Sequence, residues 1–164
     1  MSGATALLAF LVAQRLGELW IARRNTAHLL ARGGIEQGAI HCPAIVALHA
    51  AWIGALAWFG WDQPVHPGWL VVFVLLQLLR VWGLATLGER LTTRIIVLPE
   101  PVVTRGPFRL IPHPNHAVVI AEIAVTPLVL GLPWIALVFS ILNAALLFGV
   151  RIPAESRALA PYRG

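Results

Sequence analysis

Arginine, histidine and proline are concentrated in one stretch of this chain, Thr104 to Glu122, with the sequence TRGPFRLIPHPNHAVVIAE. Arginines bind anions, and histidines form hydrogen bonds and transfer protons. The prolines disfavour an α-helix and push the residue before each of them towards an extended conformation. A simple connection between two helices needs none of these side chains. The stretch therefore predicts a stiff, cofactor-binding loop at the start of an apolar helix.

The composition predicts the environment of this loop. Hydrophobic residues make up 59% of the 164 residues and charged residues only 12%, whereas soluble domains carry about 25% charged residues. We therefore expect an integral membrane protein of one domain, residues 1–164. The single cysteine, Cys42, excludes an internal disulfide and a multi-cysteine zinc site. The six histidines show no convincing ligand spacing, so no metal site is expected.

Five apolar segments predict helices that cross a bilayer core of about 30 Å, for which roughly 17–25 residues are needed. They cover residues 4–22, 44–60, 68–87, 116–131 and 133–150. The fold class is therefore predicted as all-α, with five transmembrane helices. The last two are separated by very few residues and should form a tight helical hairpin. Residues 23–42 and 88–115 are expected to be polar loops.

The arginines predict the orientation of these helices. In the five-helix arrangement ten of the twelve arginines fall on one side, while the other side carries Asp62 and no arginine. Arginine accumulates on the cytoplasmic side of membrane proteins. We therefore expect a bacterial-type inner (plasma) membrane protein with its N-terminus outside and its 88–115 loop and C-terminus in the cytoplasm. The ten residues are Arg23, Arg24, Arg32, Arg90, Arg94, Arg105, Arg109, Arg151, Arg157 and Arg163.

Four charged residues, Arg15, Glu18, Arg80 and Glu122, lie inside the predicted membrane segments and are called the charged layer below. At 1.5 Å per residue they share a depth of roughly 6–11 Å from the cytoplasmic ends of their helices. A charge in a bilayer costs roughly 2.5–3.5 kcal/mol and normally faces a partner or a polar cavity. Two interpretations stay open, structural ion pairs and a polar site, and for Arg80 and Glu122 we favour the site.

Motifs in the second half of the chain resemble those of the isoprenylcysteine carboxyl methyltransferase family of integral membrane enzymes. The family pattern is a Gly-Pro-Tyr/Phe-Arg turn, then Arg-His-Pro-x-Tyr, a helical hairpin, and Arg-(Ile/Val)-x-x-Glu-Glu-x-x-Leu. This chain has Gly106-Pro107-Phe108-Arg109, His113-Pro114-Asn115, and Arg151-Ile152 followed by Glu155 and Leu159. The order of the motifs and the short tail match the pattern.

Residues 14–25 and 93–97 also look like those of small bacterial members associated with type III polyketide synthases. Three positions depart from the family pattern: Pro112, His116 and Ser156 replace an arginine, a tyrosine and the second glutamate. The resemblance implies S-adenosylmethionine as the methyl donor and a long-chain lipid or polyketide as the acceptor.

The resemblance also implies which residues bind the donor. Arg105 or Arg109 would bind its carboxylate, and Glu155 its ammonium group or ribose hydroxyls. The histidines would hydrogen-bond to or stack on its adenine, and main-chain groups of the loop would line the same pocket. The predicted donor site comprises Val103, Arg105, Gly106, Arg109, His113, Pro114, His116 and Glu155.

The acceptor decides the catalytic roles, and two alternatives stay open. A carboxylate acceptor of the prenylcysteine type needs a positive anchor, Arg80 or Arg151, and no base. A hydroxyl acceptor of the alkylpyrone type needs a base, for which Glu122 or a histidine is available, since desolvation strengthens a carboxylate base. The resemblance favours the hydroxyl acceptor.

Two other classes of protein fit the sequence less well. A sterol-reductase-like enzyme would bind NADPH in a similar C-terminal region, but 164 residues are few for that fold. A small transporter or an assembly subunit would use the charged layer for transport or helix pairing. Against it, the polar residues gather at one face of the membrane and no inverted repeat is visible. We therefore predict a membrane methyltransferase that binds a lipophilic small molecule and no nucleic acid.

Overall fold

The structure, a computed structural model, describes residues 2–37, 42–100, 103, 105–111 and 113–162, apart from the side chains of residues 42 and 162. The regular elements are α1 (Gly3–Ala31), β1 (Ile35–Gln37), α2 (Cys42–Gly60), α3 (Pro67–Leu87), β2 (Ile95–Val97), α4 (Pro114–Val129), α5 (Pro133–Leu146) and α6 (Ile152–Leu159). Short 3-10 turns cover Gly88–Arg90, Gly106–Arg109 and Ala160–Tyr162, and a π-helical turn, Leu147–Arg151, joins α5 to α6. The motif residues Thr104 and Pro112 and the arginine Arg163 lie outside the described part of the chain.

Within the described residues, four helical stretches are long and apolar enough to cross a membrane, which makes the chain a multi-pass membrane protein. They are Gly3–Ala31, Pro43–Gly60, Pro67–Arg90 and Pro133–Leu159. The expected segment at 116–131 corresponds to α4, which is apolar but has only 16 residues. At 1.5 Å per residue α4 is about 24 Å long, somewhat shorter than a bilayer core.

α1 is longer than the apolar segment that predicted it. The helix continues to Ala31, so the expected polar loop at 23–42 is helical in its first part. It ends before Gly33, which has φ +87°, and the Gly34 N–H donates to the Leu29 carbonyl at 2.9 Å. Apolar composition predicts where a helix meets lipid, but charged residues such as arginine extend a helix equally well.

The chain is helical, as predicted, and a small two-stranded antiparallel sheet that was not predicted is added to the helices. β1 pairs with β2, with Glu36 opposite Ile96 at the centre of the pair. Each strand has three residues, which is too short for an alternating pattern to be recognised in the sequence. The sheet therefore joins two loop regions that the sequence analysis treated as separate.

Among the described residues, two apolar clusters hold these elements together. The larger cluster lies within the helical bundle, where α4 packs against α3 and α5. Its fully buried members include Leu11, Trp52, Leu56, Ile123 and Ile135. The smaller cluster consists of Ile95 and Val97 of β2 with Ala158 of α6. This second cluster fixes α6 against the sheet and so positions the residues described next.

Candidate functional site

Arg80, on α3, lies at the centre of the charged layer, which links three helices. Its guanidinium donates to Glu18 of α1 (Nη2 to Oε2, 2.6 Å) and to Glu122 of α4 (Nη1 to Oε2, 2.6 Å). Arg15 completes the layer, with Nη1 3.1 Å from Glu18 Oε2 and Nη2 2.7 Å from Glu122 Oε2. Two positive and two negative charges thus neutralise one another inside the bundle.

Both carboxylate oxygens of Glu122 have hydrogen-bond partners. Oε2 accepts from two arginines, and Oε1 accepts from Gln77 Nε2 at 2.7 Å. Gln77 itself accepts from Gln14 Nε2 at 2.6 Å, which joins α1 to α3 a second time. Glu122 is fully buried, and among the described residues neither it nor Arg80 lines the cleft described next. These contacts favour structural ion pairs as the interpretation of the charged layer.

A cleft of about 560 Å³ opens where α3 ends and α4 begins, beside α6 and the sheet. This volume falls in the range of small-molecule sites, about 300–1,000 Å³. Its wall combines apolar side chains of β2 with polar side chains of α4 and α6. In the described part of the chain, the predicted donor-site and catalytic residues that line the cleft are Val103, Arg109, His113, His116, Arg151 and Glu155.

His113, His116 and Glu155 converge in this cleft and are called the triad below. His116 Nε2 lies 2.9 Å from Glu155 Oε2, and His113 Nδ1 lies 3.5 Å from Glu155 Oε1. The two imidazole rings are stacked, with centroids 5.5 Å apart and an interplanar angle of 16°. The three side chains are exposed by only 15–22%. The triad is therefore largely enclosed yet reachable by a ligand in the cleft.

Arg151 contacts Glu155 from a third direction. Its Nε lies 3.7 Å from Glu155 Oε2, and its Nη1 donates to the Thr93 carbonyl at 3.0 Å. Two imidazoles and one guanidinium thus surround the carboxyl group of Glu155.

The local sequence explains why the triad forms. Pro114 occupies the start of α4, where its missing N–H costs nothing, so His113 precedes the helix and His116 lies in its first turn. On the other side of the cleft, the turn Leu147–Arg151 is π-helical and contains one residue more than an α-helical turn. The extra residue sets the directions of the Arg151 side chain and of α6. Arg151 and Glu155 are four residues apart and share one helix face.

The sequence analysis missed the charged residues that support the sheet wall of the cleft. Glu100 accepts from Arg90 Nη2 at 2.9 Å and from Arg32 Nη2 at 2.8 Å. Glu36 of β1 accepts from Arg94 Nη1 at 2.9 Å. Arg90, Arg94 and Glu100 also line the cleft. The β-branched run in β2 is a sequence signal that could have indicated a strand here.

Of the predicted donor-site residues that the structure describes, three do not line the cleft. Arg105 and Gly106 line a shallow depression beside α3, and Pro114 is buried. Gly106 has φ +61°, and a Cβ atom there would lie 2.8 Å from Thr86 Oγ1, so this position requires glycine. Pro112, which replaces the family arginine, lies outside the described residues.

The triad offers a set of ligand atoms that a metal ion accepts. His113, His116 and Glu155 each provide one ligand atom, and these atoms lie within 4.8 Å of one another. No metal site was expected from the histidine spacing. Glu155 is 39 residues from His116 along the chain, and the folded structure brings the two side chains together.

Comparisons with known proteins place the chain in a family. The model of the isoprenylcysteine carboxyl methyltransferase (ICMT) family matches residues 69–161, which include α3 without its first two residues, α4 to α6 and the triad. An uncharacterized protein of Bacillus subtilis (strain 168), YpbQ, is 38% identical over 162 residues, which cover 95% of this chain and 96% of that protein. No solved structure matches the chain.

Proposed function

Because the chain belongs to the isoprenylcysteine carboxyl methyltransferase family, we propose that it is an S-adenosylmethionine-dependent O-methyltransferase that acts on a lipophilic small molecule. The observation that carries this proposal is the cleft in which the triad converges at the end of an apolar helical bundle. A polar, zwitterionic donor and an apolar acceptor can meet at such a boundary. Membership of the family implies methyl transfer in general; the donor and the acceptor are our proposal.

Glu155 is the residue that binds the donor's ammonium group in this proposal, because it is a largely enclosed carboxylate in the cleft. Arg109 binds the donor's carboxylate. It lines the cleft, whereas Arg105 lines the separate depression beside α3. The N–H groups in the first turn of α4 have no partner within the helix and add attraction for the same anion.

When bound, S-adenosylmethionine would supply an electrophilic methyl group on its sulfonium, and transfer of this group to an acceptor oxygen would break the carbon–sulfur bond and release a neutral thioether. The residues of the chain position the two reactants and exclude water, and these two effects provide much of the rate enhancement of such a displacement. The side chains of Leu98, Val103 and Leu159 line the cleft and exclude water from it. An acceptor with an alkyl tail would place the tail between helices, in contact with lipid.

A hydroxyl group of the alkylpyrone or polyketide type is the acceptor that we favour. A hydroxyl loses its proton during methyl transfer and therefore needs a base. His113 and His116 each direct one ring nitrogen at Glu155. This contact orients each ring so that its second nitrogen can accept a proton. We assign the base to this pair and not to Glu122, whose oxygens are already hydrogen-bonded. With a carboxylate acceptor of the prenylcysteine type, Arg151 is the anchor instead.

The membrane arrangement that we propose has five crossing helices in one domain, with α4 as a short fourth crossing and α4 and α5 as a hairpin. Gly131, with φ +66°, supports a sharp turn between them. The cleft would open to the cytoplasmic face of a bacterial-type inner membrane. Arg90, Arg94, Arg109 and Arg151 line the cleft, and arginine marks the cytoplasmic side.

Calorimetric binding to the full chain in detergent tests the donor. S-adenosylmethionine and its demethylated product should bind saturably, and NADPH should not. Glu155→Ala should weaken donor binding at least tenfold, about 1.4 kcal/mol. Arg157→Gln, an exposed charge on the same helix, is the matched control and should change nothing.

The other outcomes identify the alternatives. Binding of NADPH without binding of the donor would indicate a reductase. Binding of none of the three ligands would favour a transporter or an assembly subunit. If the donor binds, methyl transfer from labelled S-adenosylmethionine to alkylpyrones and to prenylcysteines distinguishes the two acceptor classes.

A further inference from the structure

We infer that the triad of His113, His116 and Glu155 is also a binding site for a divalent transition-metal ion of the zinc type, and that this ion excludes the methyl donor. The metal site rests on the geometry of the triad alone. The exclusion of the donor rests on the proposed function. The two parts are therefore tested separately.

The ligand set and its distances suit zinc. Two imidazoles and one carboxylate, with a fourth position open to water or a ligand, form a recurrent zinc site. With bonds of about 2.0–2.2 Å, tetrahedral ligand atoms lie roughly 3.4 Å apart. Glu155 Oε2 lies 2.9 Å from His116 Nε2, and Glu155 Oε1 lies 3.5 Å from His113 Nδ1. All three side chains are within reach of one ion after small side-chain rotations.

The triad is held in place by elements that do not depend on the ion. His113 precedes α4 and His116 lies in its first turn, and the start of the helix is fixed by Pro114. α6, which carries Glu155, is fixed through the apolar contact of Ala158 with β2. Pre-positioned ligands reduce the entropy lost when the ion binds.

Arg151 limits the affinity of this site. Its Nε is 3.7 Å from Glu155 Oε2, so its positive charge repels a second cation while it orients the carboxylate. We therefore expect weaker binding than at a structural zinc site, which has no such neighbouring cation. Reversible, moderate affinity is what an inhibitory ion requires.

Exclusion of the donor follows from shared atoms. A bound ion uses the oxygens of Glu155, and the donor's ammonium group would need the same oxygens. The ion would also repel the donor's sulfonium charge, because Coulomb repulsion is strong in an enclosed site. The triad would thus make the methyltransferase sensitive to zinc-type ions.

Titration of the metal alone tests the site. The full chain, purified through a tag without histidine, should bind one Zn²⁺ per chain by calorimetry, and Co²⁺ should give the visible absorption of a tetrahedral complex. His113→Ala and Glu155→Gln should each weaken Zn²⁺ binding at least tenfold. Glu155→Gln preserves the shape of the side chain and one acceptor oxygen while it removes the charge, so it guards against a folding defect.

His28→Ala is the matched control. His28 is exposed and lies 3.8 Å from Glu89, outside the cleft lining, so its removal should leave Zn²⁺ binding unchanged. Equal weakening by the control and by the triad variants, or undiminished binding in the triad variants, means surface binding and overturns the metal site.

Donor titrations with and without saturating Zn²⁺ test the exclusion. In metal-free buffer the donor should bind, and saturating Zn²⁺ should weaken it at least tenfold. Donor binding that is indifferent to bound Zn²⁺ overturns the exclusion. A donor that fails to bind in metal-free buffer overturns the proposed function, while Zn²⁺ binding that depends on the triad would still establish the metal site.

Discussion

The charged layer and the triad have different surroundings, and the difference suggests different roles. In the charged layer every charge faces an opposite charge on a neighbouring helix, and Glu122 is fully buried. In the triad the side chains are partly exposed to a cleft that has room for a small molecule. A closed group of charges stabilises the helix arrangement, whereas a group that faces a cleft can exchange its partners for a ligand.

Glu122→Ala tests the role of the charged layer. The substitution leaves Arg15 and Arg80 with one carboxylate between them inside the bundle, and removal of one partner from a buried pair typically costs about 3–5 kcal/mol. The midpoint of thermal unfolding in detergent should fall clearly, while the affinity of the folded fraction for S-adenosylmethionine stays unchanged. The midpoint of thermal unfolding should fall less for Glu122→Gln, which keeps the shape of the side chain. Unchanged stability of both variants would contradict a structural role and return Glu122 to the list of catalytic candidates.

Among the structural elements, the turns at the ends of the helices decide where the cleft lies. The turn Gly106–Arg109 packs against α3 and places Arg109 in the cleft lining. The π-helical turn before α6 positions Arg151 and Glu155 on the opposite wall. Glu100 pairs with Arg32 at the end of α1 and with Arg90 in the turn after α3. These ion pairs hold the segment that follows β2 to the ends of the two helices. The cleft therefore depends on short irregular elements more than on the long helices.

Gly106→Ala tests the turn next to α3. Alanine disfavours φ +61°, and its Cβ would lie 2.8 Å from Thr86 Oγ1. Together these effects should destabilise the protein by about 1–3 kcal/mol and weaken donor binding as Arg109 shifts. Gly149→Ala is the control, because a Cβ there meets no atom within 4 Å and needs no positive φ. Thermal unfolding and calorimetry are measured on both variants, and an equal effect of the two substitutions would contradict a specific need for Gly106.

At the scale of the whole molecule, the apolar helices and the arginines together predict a fixed orientation in the membrane. Four helical stretches of the described residues are long and apolar enough to cross it. Among the described residues, four arginines line the cleft, which supports the proposal that the cleft faces the cytoplasm. In that proposed orientation the donor site lies on the side where a water-soluble donor is available.

Cysteine labelling in intact bacterial cells tests this orientation, in a Cys42→Ser background. Asp62→Cys should react with a membrane-impermeant maleimide from outside the inner membrane. Arg157→Cys should react only after the membrane is opened, because arginine-rich loops remain in the cytoplasm. Leu75→Cys, in the middle of α3, is the unlabelled control. The reverse labelling pattern would invert the proposed topology and place the cleft outside.

Particular residues show how far the sequence could be interpreted. The segment predicted at 68–87 agrees within one residue with α3 (Pro67–Leu87), because a long apolar run needs a helix to satisfy its backbone in lipid. The charged layer was predicted as one layer, since helical rise alone gives its depth. α1 and the sheet were predicted less well, because the helix extends past the lipid boundary and each strand has only three residues.

The sequence by itself determined that this is a multi-pass helical membrane protein with family motifs for methyl transfer, because apolar length and local motifs are properties of contiguous residues. Only the tertiary structure decided which charged residues meet. In the folded protein Glu122 accepts hydrogen bonds from Arg15, Arg80 and Gln77, and Glu155 contacts His116, which is 39 residues away along the chain. Contacts between distant residues depend on how helices pack and how turns direct them, and neither is encoded in the spacing along the chain.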